Sequence, residues 1–250
     1  MGNVRRDCIK MVTEFQINTA PTHYDLEKIE KWLIEEEREF NEGFYCNWTI
    51  ITKAFKNKEL VTLNFKESPI GFLVWSIGEN YAEIDILEIQ PEHRKKGIGR
   101  VFFEKISEIF KRKELLAIKL FCSPRKSKKF WKKMGFIKFP NRGYSESDLT
   151  YFKPLIEISS TSKNVLTENK VELWDVEPNQ KDDNLPKWTW DIDIKNSKLI
   201  LPIIHPCNCN WNLRWTKNGK TIREDKVKYF DTKVNRIEYG PFLYIEKLIE

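Results

Sequence analysis

Residues 87–100 read Leu-Glu-Ile-Gln-Pro-Glu-His-Arg-Lys-Lys-Gly-Ile-Gly-Arg, a run that carries chemistry in its spacing. An apolar, strand-like segment passes through a basic, glycine-containing turn and opens directly into a helix. The first turn of a helix has backbone N–H groups without intrahelical partners, and the helix dipole adds partial positive charge there. Gly97 and Gly99 lack a Cβ, so an anion can approach the backbone closely. Arg94, Lys95, Lys96 and Arg100 add full charges. These features together specify a cradle for a pyrophosphate. A Walker loop would need Gly-Lys-Ser/Thr, and a dinucleotide fingerprint would need a third glycine inside a βαβ unit. Neither is present.

The elements that must hold this turn can be read from periodicity. Leu26, Ile29, Trp32, Leu33 and Phe40 recur at helical spacing over 22–40, whereas 44–51 mixes aromatic and β-branched residues without a clear period. Three strand-like runs come next, at 59–64, 70–77 and 81–89, with links short enough for antiparallel hairpins. After Pro91, the residues Ile98, Phe102, Ile106, Ile109 and Phe110 define a helix that ends near Lys113. A strand is expected at 117–122. Ser123-Pro124 then reads as a cap with proline at the first helical position, leading into a short helix over 125–134 that ends at Gly135. Strands at 136–139 and 149–155 complete this part.

Arg94-x-x-Gly97-x-Gly99 resembles the R/Q-x-x-G-x-G/A signature of the GNAT superfamily of N-acetyltransferases, and the preceding Ile89-x-Pro91 is also typical of it. A second block, Ser127-x-x-Phe130-Trp131-x-x-x-Gly135-Phe136, resembles the A-x-x-F-Y-x-x-x-G-F block that ends that fold's common core. The resemblance is specific over about 82–136 and looser, by pattern, over 11–155. It implies an α+β fold with a GNAT-type mixed, mostly antiparallel sheet flanked by helices, followed by a small all-β accessory domain. The domains expected are 1–156, a Ser/Thr/Asn/Lys-rich linker at 157–169, and 170–250.

What the resemblance implies for mechanism is an enzyme that moves an acetyl group from the cosubstrate acetyl-CoA to a primary amine by direct attack. The strand Ile84–Gln90 would pair with the pantetheine arm, with Leu87 beside it and the Ile89 N–H polarising the thioester carbonyl. The pyrophosphate would rest on the amides of Lys95, Lys96, Gly97, Ile98, Gly99 and Arg100, with Arg94 and Phe130 adjoining. For the general base, alignment back from Gly97 places Glu83 where the histone-acetylating branch has its glutamate; Asp85 and Glu88 are the competitors. The family's usual acid, a tyrosine, is replaced by Trp131, whose indole N–H is too weak an acid; Tyr144 and Tyr151 are the available substitutes. Pro124 stands where many members have asparagine. The loss of that tyrosine also admits an alternative, a non-catalytic acyl-CoA-binding module. Cys122 can be read as an acyl-accepting thiol or as a small core residue.

Composition narrows the remaining classes. The 250 residues are 40% hydrophobic and 32% charged, with five irregularly spaced cysteines, which argues against a disulfide framework and for a reducing, cytoplasmic setting. No apolar run approaches the roughly 20 residues of a membrane span. His205 and Cys207-x-Cys209 are too tightly spaced for a zinc arm and lack a second arm, so no metal is expected. The net charge of +6 permits an anionic partner without requiring one, so nucleic acid is not favoured despite the basic run at 125–133. An edge strand at 149–155 can pair between subunits to give a homodimer. Beyond 170, tryptophans 174, 188, 190, 211 and 215 accompany period-two runs, and Lys217-Asn-Gly-Lys220 signals a hairpin joining 211–215 to 226–230. Such tryptophans either build a core or line a binding groove.

Overall fold

The computed structural model describes residues 15–143, 148–162, 166–181, 184–230 and 241–248. The chain divides into two compact units, one ending at Phe136 and the other beginning at Ile137.

The first unit opens with β1 (Phe15–Asn18) and α1 (His23–Phe40). Helix α1 starts at Thr22 because of a capping box: the Asp25 N–H donates to the Thr22 hydroxyl at 3.3 Å, and the Thr22 N–H donates to the Asp25 carboxylate at 2.7 Å. A cap of this kind contributes about 1 kcal/mol. Its buried face carries Ile29, Trp32, Leu33 and, on the same stripe, Glu36. Phe40 departs from the periodic expectation. It is 60% exposed, because the helix turns out at Asn41 in the left-handed conformation just beyond the core.

The segment without a clear period forms a 3₁₀ turn (Tyr45–Asn47) and helix α2 (Trp48–Asn57). Thr49, Ile50, Ile51 and Thr52 are β-branched and favour strands locally. Packing overrides that preference: Ile51 and Ala54 bury themselves among Ile29, Leu33, Leu60, Phe72 and Ile86.

The sheet of this unit contains β2 (Leu60–Phe65), β3 (Ser68–Ile77), β4 (Tyr81–Ile89) and β5 (Ala117–Phe121) beside β1. The ladders β1–β2, β2–β3 and β3–β4 are antiparallel, and β4–β5 is parallel. Helix α3 (Ile98–Arg112) makes the crossover, burying Ile98, Phe102, Phe103, Ile106 and Phe110. The expected helix at 125–134 is a 3₁₀ turn (Arg125–Ser127) running into α4 (Lys128–Lys133). Ser123 makes no side-chain cap. Pro124 holds the cap position in an extended conformation, where its fixed φ is compatible with both sides of the junction. Gly135 has φ +87°, as a glycine closing a helix requires.

Two irregularities shape the far end of β4. Val74 pairs with Ile86 and Trp75 with Ile84, so Asp85 is the extra residue of a β-bulge. The parallel ladder runs from Tyr81↔Ala117 to Ile84↔Leu120 and stops there. The last five residues of β4, Asp85 to Ile89, therefore diverge from β5.

The second unit is an additional all-β region. It contains the hairpin β6 (Ile137–Lys138) and β7 (Thr150–Pro154), then β8 (Lys170–Leu173), β9 (Trp188–Asp191), β10 (Ile194–Lys195), β11 (Lys198–Pro206), β12 (Asn212–Lys217), β13 (Lys220–Lys226) and β14 (Phe242–Lys247). Strands β8 to β14 form sheets ordered β10-β11-β14 and β13-β12-β8-β9. The Asn218-Gly219 turn, with both φ positive, joins β12 directly to a strand beginning at Lys220. Residues 227–229, expected within that partner strand, instead make a 3₁₀ turn. Trp190, Trp211 and Trp215 are buried in the core with Val171, Leu173 and Leu213, so these tryptophans build an interior. Within 157–169, the Ser159 N–H donates to the Pro202 carbonyl and the Ser162 N–H to the Thr189 carbonyl. The Cys207 thiol is buried and pushed up to about 12 by that burial.

Candidate functional site

The divergence of β4 from β5 opens the first unit along one edge of β4, and two cavities meet there. One, of about 680 Å³, extends from Leu87, Glu88 and Ile89 across the turn to the start of α3. The other, of about 510 Å³, lies between the end of β4, the end of β5, α1 and the loop at 42–47. Leu87, Glu88, Arg94 and Phe130 line both.

The larger cavity opens on the turn expected to form the cradle. Gly97 sits at the N-cap of α3 with φ +81°, a left-handed conformation that side chains with a Cβ adopt at a cost. No atom lies within 4 Å of where its Cβ would be, so the approach to the turn is open. The Arg100 and Val101 N–H groups bond back to the Gly97 carbonyl, leaving the amides of Ile98 and Gly99 ahead of the first intrahelical bond. At Gly99 a Cβ would meet Ile89 and Phe130 at 3.6 and 3.7 Å. Ile89, Arg94, Lys95, Gly97, Ile98, Gly99, Arg100 and Phe130 all line this cavity; Lys96 does not. Lys133, from the basic run on α4, joins them. The Arg100 side chain is exposed and pairs with Glu104 at 2.7 Å.

Arg94 does more than line the two cavities. Its Nε donates to the Ile89 carbonyl at 2.6 Å, which ties the turn back to the end of β4. Its Nη2 lies 2.7 Å from Glu36 Oε1 and 2.9 Å from Glu88 Oε1. Two carboxylates from different elements thus share one guanidinium.

The three acidic candidates on β4 fall in different places. Glu83 lies outside the residues lining either cavity and pairs with Lys119, its neighbour on β5, at 2.8 Å. Asp85, on the bulge, lines the smaller cavity; burial, then the nearby Glu83 and Glu59, raise its carboxyl above the usual range. Glu88 stands where the cavities join. Burial pushes it up to about 7, against the lowering effect of Arg94 and of a hydrogen bond from the Ile89 N–H at 3.0 Å. A carboxyl that titrates near neutrality can both accept and release a proton under working conditions.

The Cys122 thiol is buried and pushed up to about 11, so it is protonated and weakly nucleophilic at neutral pH. Trp131 lines the smaller cavity and packs edge-on against Phe103 and Phe130. Tyr151 is buried in the second unit, and its hydroxyl has no hydrogen-bond partner among the described residues. Tyr144 lies outside the described residues.

Sequence reasoning missed Glu36. Its signal was available: it lies seven residues after Ile29 on a stripe that is otherwise apolar, where a charge is out of pattern. The loop residues Glu42, Gly43 and Phe44, which close the smaller cavity, carried no such signal.

The family model described as the acetyltransferase (GNAT) family matches residues 19–136. Among solved structures, the PaiA N-acetyltransferase of Thermoplasma acidophilum, determined in complex with coenzyme A, is 21% identical; the alignment covers 56% of this chain and 98% of that one, with a TM-score of 0.43. A GNAT-family acetyltransferase from Staphylococcus aureus Mu50 is 15% identical over 57% and 99% of the two chains, TM-score 0.46. The Escherichia coli GNAT-family N-acetyltransferase YhbS, in complex with CoA, is 12% identical over 57% and 82%, TM-score 0.45. No curated protein matches the sequence. Among the described residues no helix is long and apolar enough to cross a membrane.

Proposed function

Residues 19–136 are an acetyltransferase domain of the GNAT superfamily, and from that premise we propose that the protein transfers an acetyl group from acetyl-CoA to a primary amine, with Glu88 as the general base. The observation that carries this reading is the position of Glu88 at the junction of the two cavities, with a carboxyl pushed up to about 7.

The larger cavity suits the diphosphate: open backbone amides at the start of α3, Lys95 and Lys133 along its wall, and room at Gly97. The pantetheine arm then extends along the unpaired edge of β4 toward Leu87. The amine enters from the smaller cavity as an ammonium ion and gives a proton to Glu88. Its nitrogen attacks the thioester carbon; the Ile89 N–H stabilises the carbonyl oxygen as charge develops there. The carbon–sulfur bond breaks, the nitrogen gives its surplus proton to solvent to leave a neutral amide, and CoA departs as the thiolate. Holding both reactants at one junction supplies much of the rate, because a bimolecular encounter becomes an intramolecular one.

The pH dependence has a definite sign. Below about 7 Glu88 is protonated and cannot accept the ammonium proton; above it the carboxylate is available. We expect kcat/KM for the amine to rise about tenfold per pH unit below neutrality and to level near pH 7–8. Thiol release from acetyl-CoA with an amine panel, measured from pH 5.5 to 9, tests this. A profile flat across pH 6–8 would remove Glu88 from the role. Absence of thiol release despite saturable acetyl-CoA binding would leave a binding module.

A further inference from the structure

The smaller cavity carries more negative charge than its cations neutralise. Four carboxylates line it, Glu36, Glu42, Asp85 and Glu88, against two cations, Arg94 and Lys126. Lys126 is matched to Glu42 at the exposed rim. Arg94 is shared between Glu36 and Glu88, which leaves that pair one charge in excess. The Asp85 side chain makes no ion pair or hydrogen bond among the described residues. Its charged neighbours are Glu83, Glu59 and Lys119, and Lys119 is already paired with Glu83.

A second observation marks the inner end independently. The Glu36 side chain is only 2% exposed, yet its Oε2 has no hydrogen-bond partner among the described residues. A buried carboxylate oxygen without a donor is expensive to leave unmade. Gly43 adjoins that oxygen so closely that a Cβ there would come within 3.3 Å of it. Between this end and Asp85 the wall is apolar, formed by Ile84, Ile86, Leu120 and Trp131 among others. Two anionic ends flanking hydrocarbon fit a ligand with two cationic ends and an aliphatic middle.

We propose that the acceptor is an aliphatic diamine: its reacting ammonium lies between Glu36 Oε2 and Glu88, and its second ammonium is held by Asp85. This names a substrate class for the cavity and rests on the acetyl-transfer reading of the same site. Asp85 and Glu88 are three residues apart on a strand that rises roughly 3.3 Å per residue. That separation, shortened by the reach of two acidic side chains, suits a chain of about four to six methylenes.

The test is calorimetric titration of CoA-saturated protein at pH 7.5 with 1,5-diaminopentane and, separately, n-pentylamine. The diamine should bind at least tenfold more tightly, and Asp85→Asn should erase that preference. The preference should also shrink in 0.5 M salt, because Asp85 stands at the cavity's more exposed end. Equal affinities in the wild-type protein, no binding of the diamine, or a preference that survives Asp85→Asn would each overturn the proposal. The transfer reading fails separately, as absence of thiol release while the diamine is bound; the diamine assignment fails as equal turnover of the two amines.

Discussion

Glu88→Gln should lower kcat by 10²- to 10³-fold at pH 8 while changing the affinity for acetyl-CoA by less than about threefold. A positioned base contributes about 10²–10⁴ to such a reaction, and the amide cannot take the ammonium proton. Glutamine is close in size, so the junction stays filled, and its carbonyl oxygen can still accept from the Ile89 N–H. Arg94 keeps its contacts with Glu36 at 2.7 Å and with the Ile89 carbonyl at 2.6 Å, so the turn below it stays anchored. The residual rate should lose the inflection near pH 7. Stopped thiol-release assays beside calorimetry with acetyl-CoA separate the two effects. An unchanged kcat would transfer the role to Asp85, the other β4 carboxylate lining the smaller cavity.

Gly97→Asp should weaken acetyl-CoA binding by at least 100-fold, about 3 kcal/mol. The backbone there has φ +81°, which aspartate tolerates better than most residues, at about 1 kcal/mol. The N-cap position is one that aspartate favours, which offsets that cost. Nothing lies within 4 Å of the new Cβ, so no clash arises. The helix should therefore start where it does now, and the loss should fall on the ligand, because a carboxylate now faces the diphosphate in the mouth of the cradle. Gly97→Asn has nearly the same shape and backbone preference without the charge, and should bind within about fivefold of wild type. Equal losses in both variants would mean that conformation, not charge, governs the site.

How much of this was legible in the sequence depends on whether a feature is local. The turn from Pro91 into α3 was, because Pro91, the basic run, Gly97 and Gly99 impose it without help from distant residues. The strands β2 to β4 and helices α1 and α3 were legible from their periods, and the superfamily from two blocks in the right order. Helix α2 was not, since four β-branched residues in a row favour a strand until Ile51 meets Leu33 and Ile86. The relation among the three β4 acids was not either. Period-two alternation puts Glu83 and Asp85 on one face, but the bulge at Asp85 resets the alternation, and a bulge is set by the partner strand. Arg94 was assigned by its motif to the diphosphate side. Its contacts with Glu36 and Glu88 required knowing that α1 packs over the end of β4.

The hydrogen bond from the Ile89 N–H to Glu88 Oε1 bears on kinetic order. In the proposed reaction one amide hydrogen is contested by two acceptors, the thioester carbonyl and the carboxylate assigned to deprotonate the amine. When the carbonyl takes that hydrogen, the carboxylate loses a bond that stabilises its ionised form and becomes the stronger base. The acyl donor therefore prepares the site for the nucleophile, whereas the amine alone does nothing to polarise a carbonyl. For the proposed reaction, the donor and acceptor count of these two adjacent residues predicts a sequential scheme in which acetyl-CoA adds first and CoA leaves last.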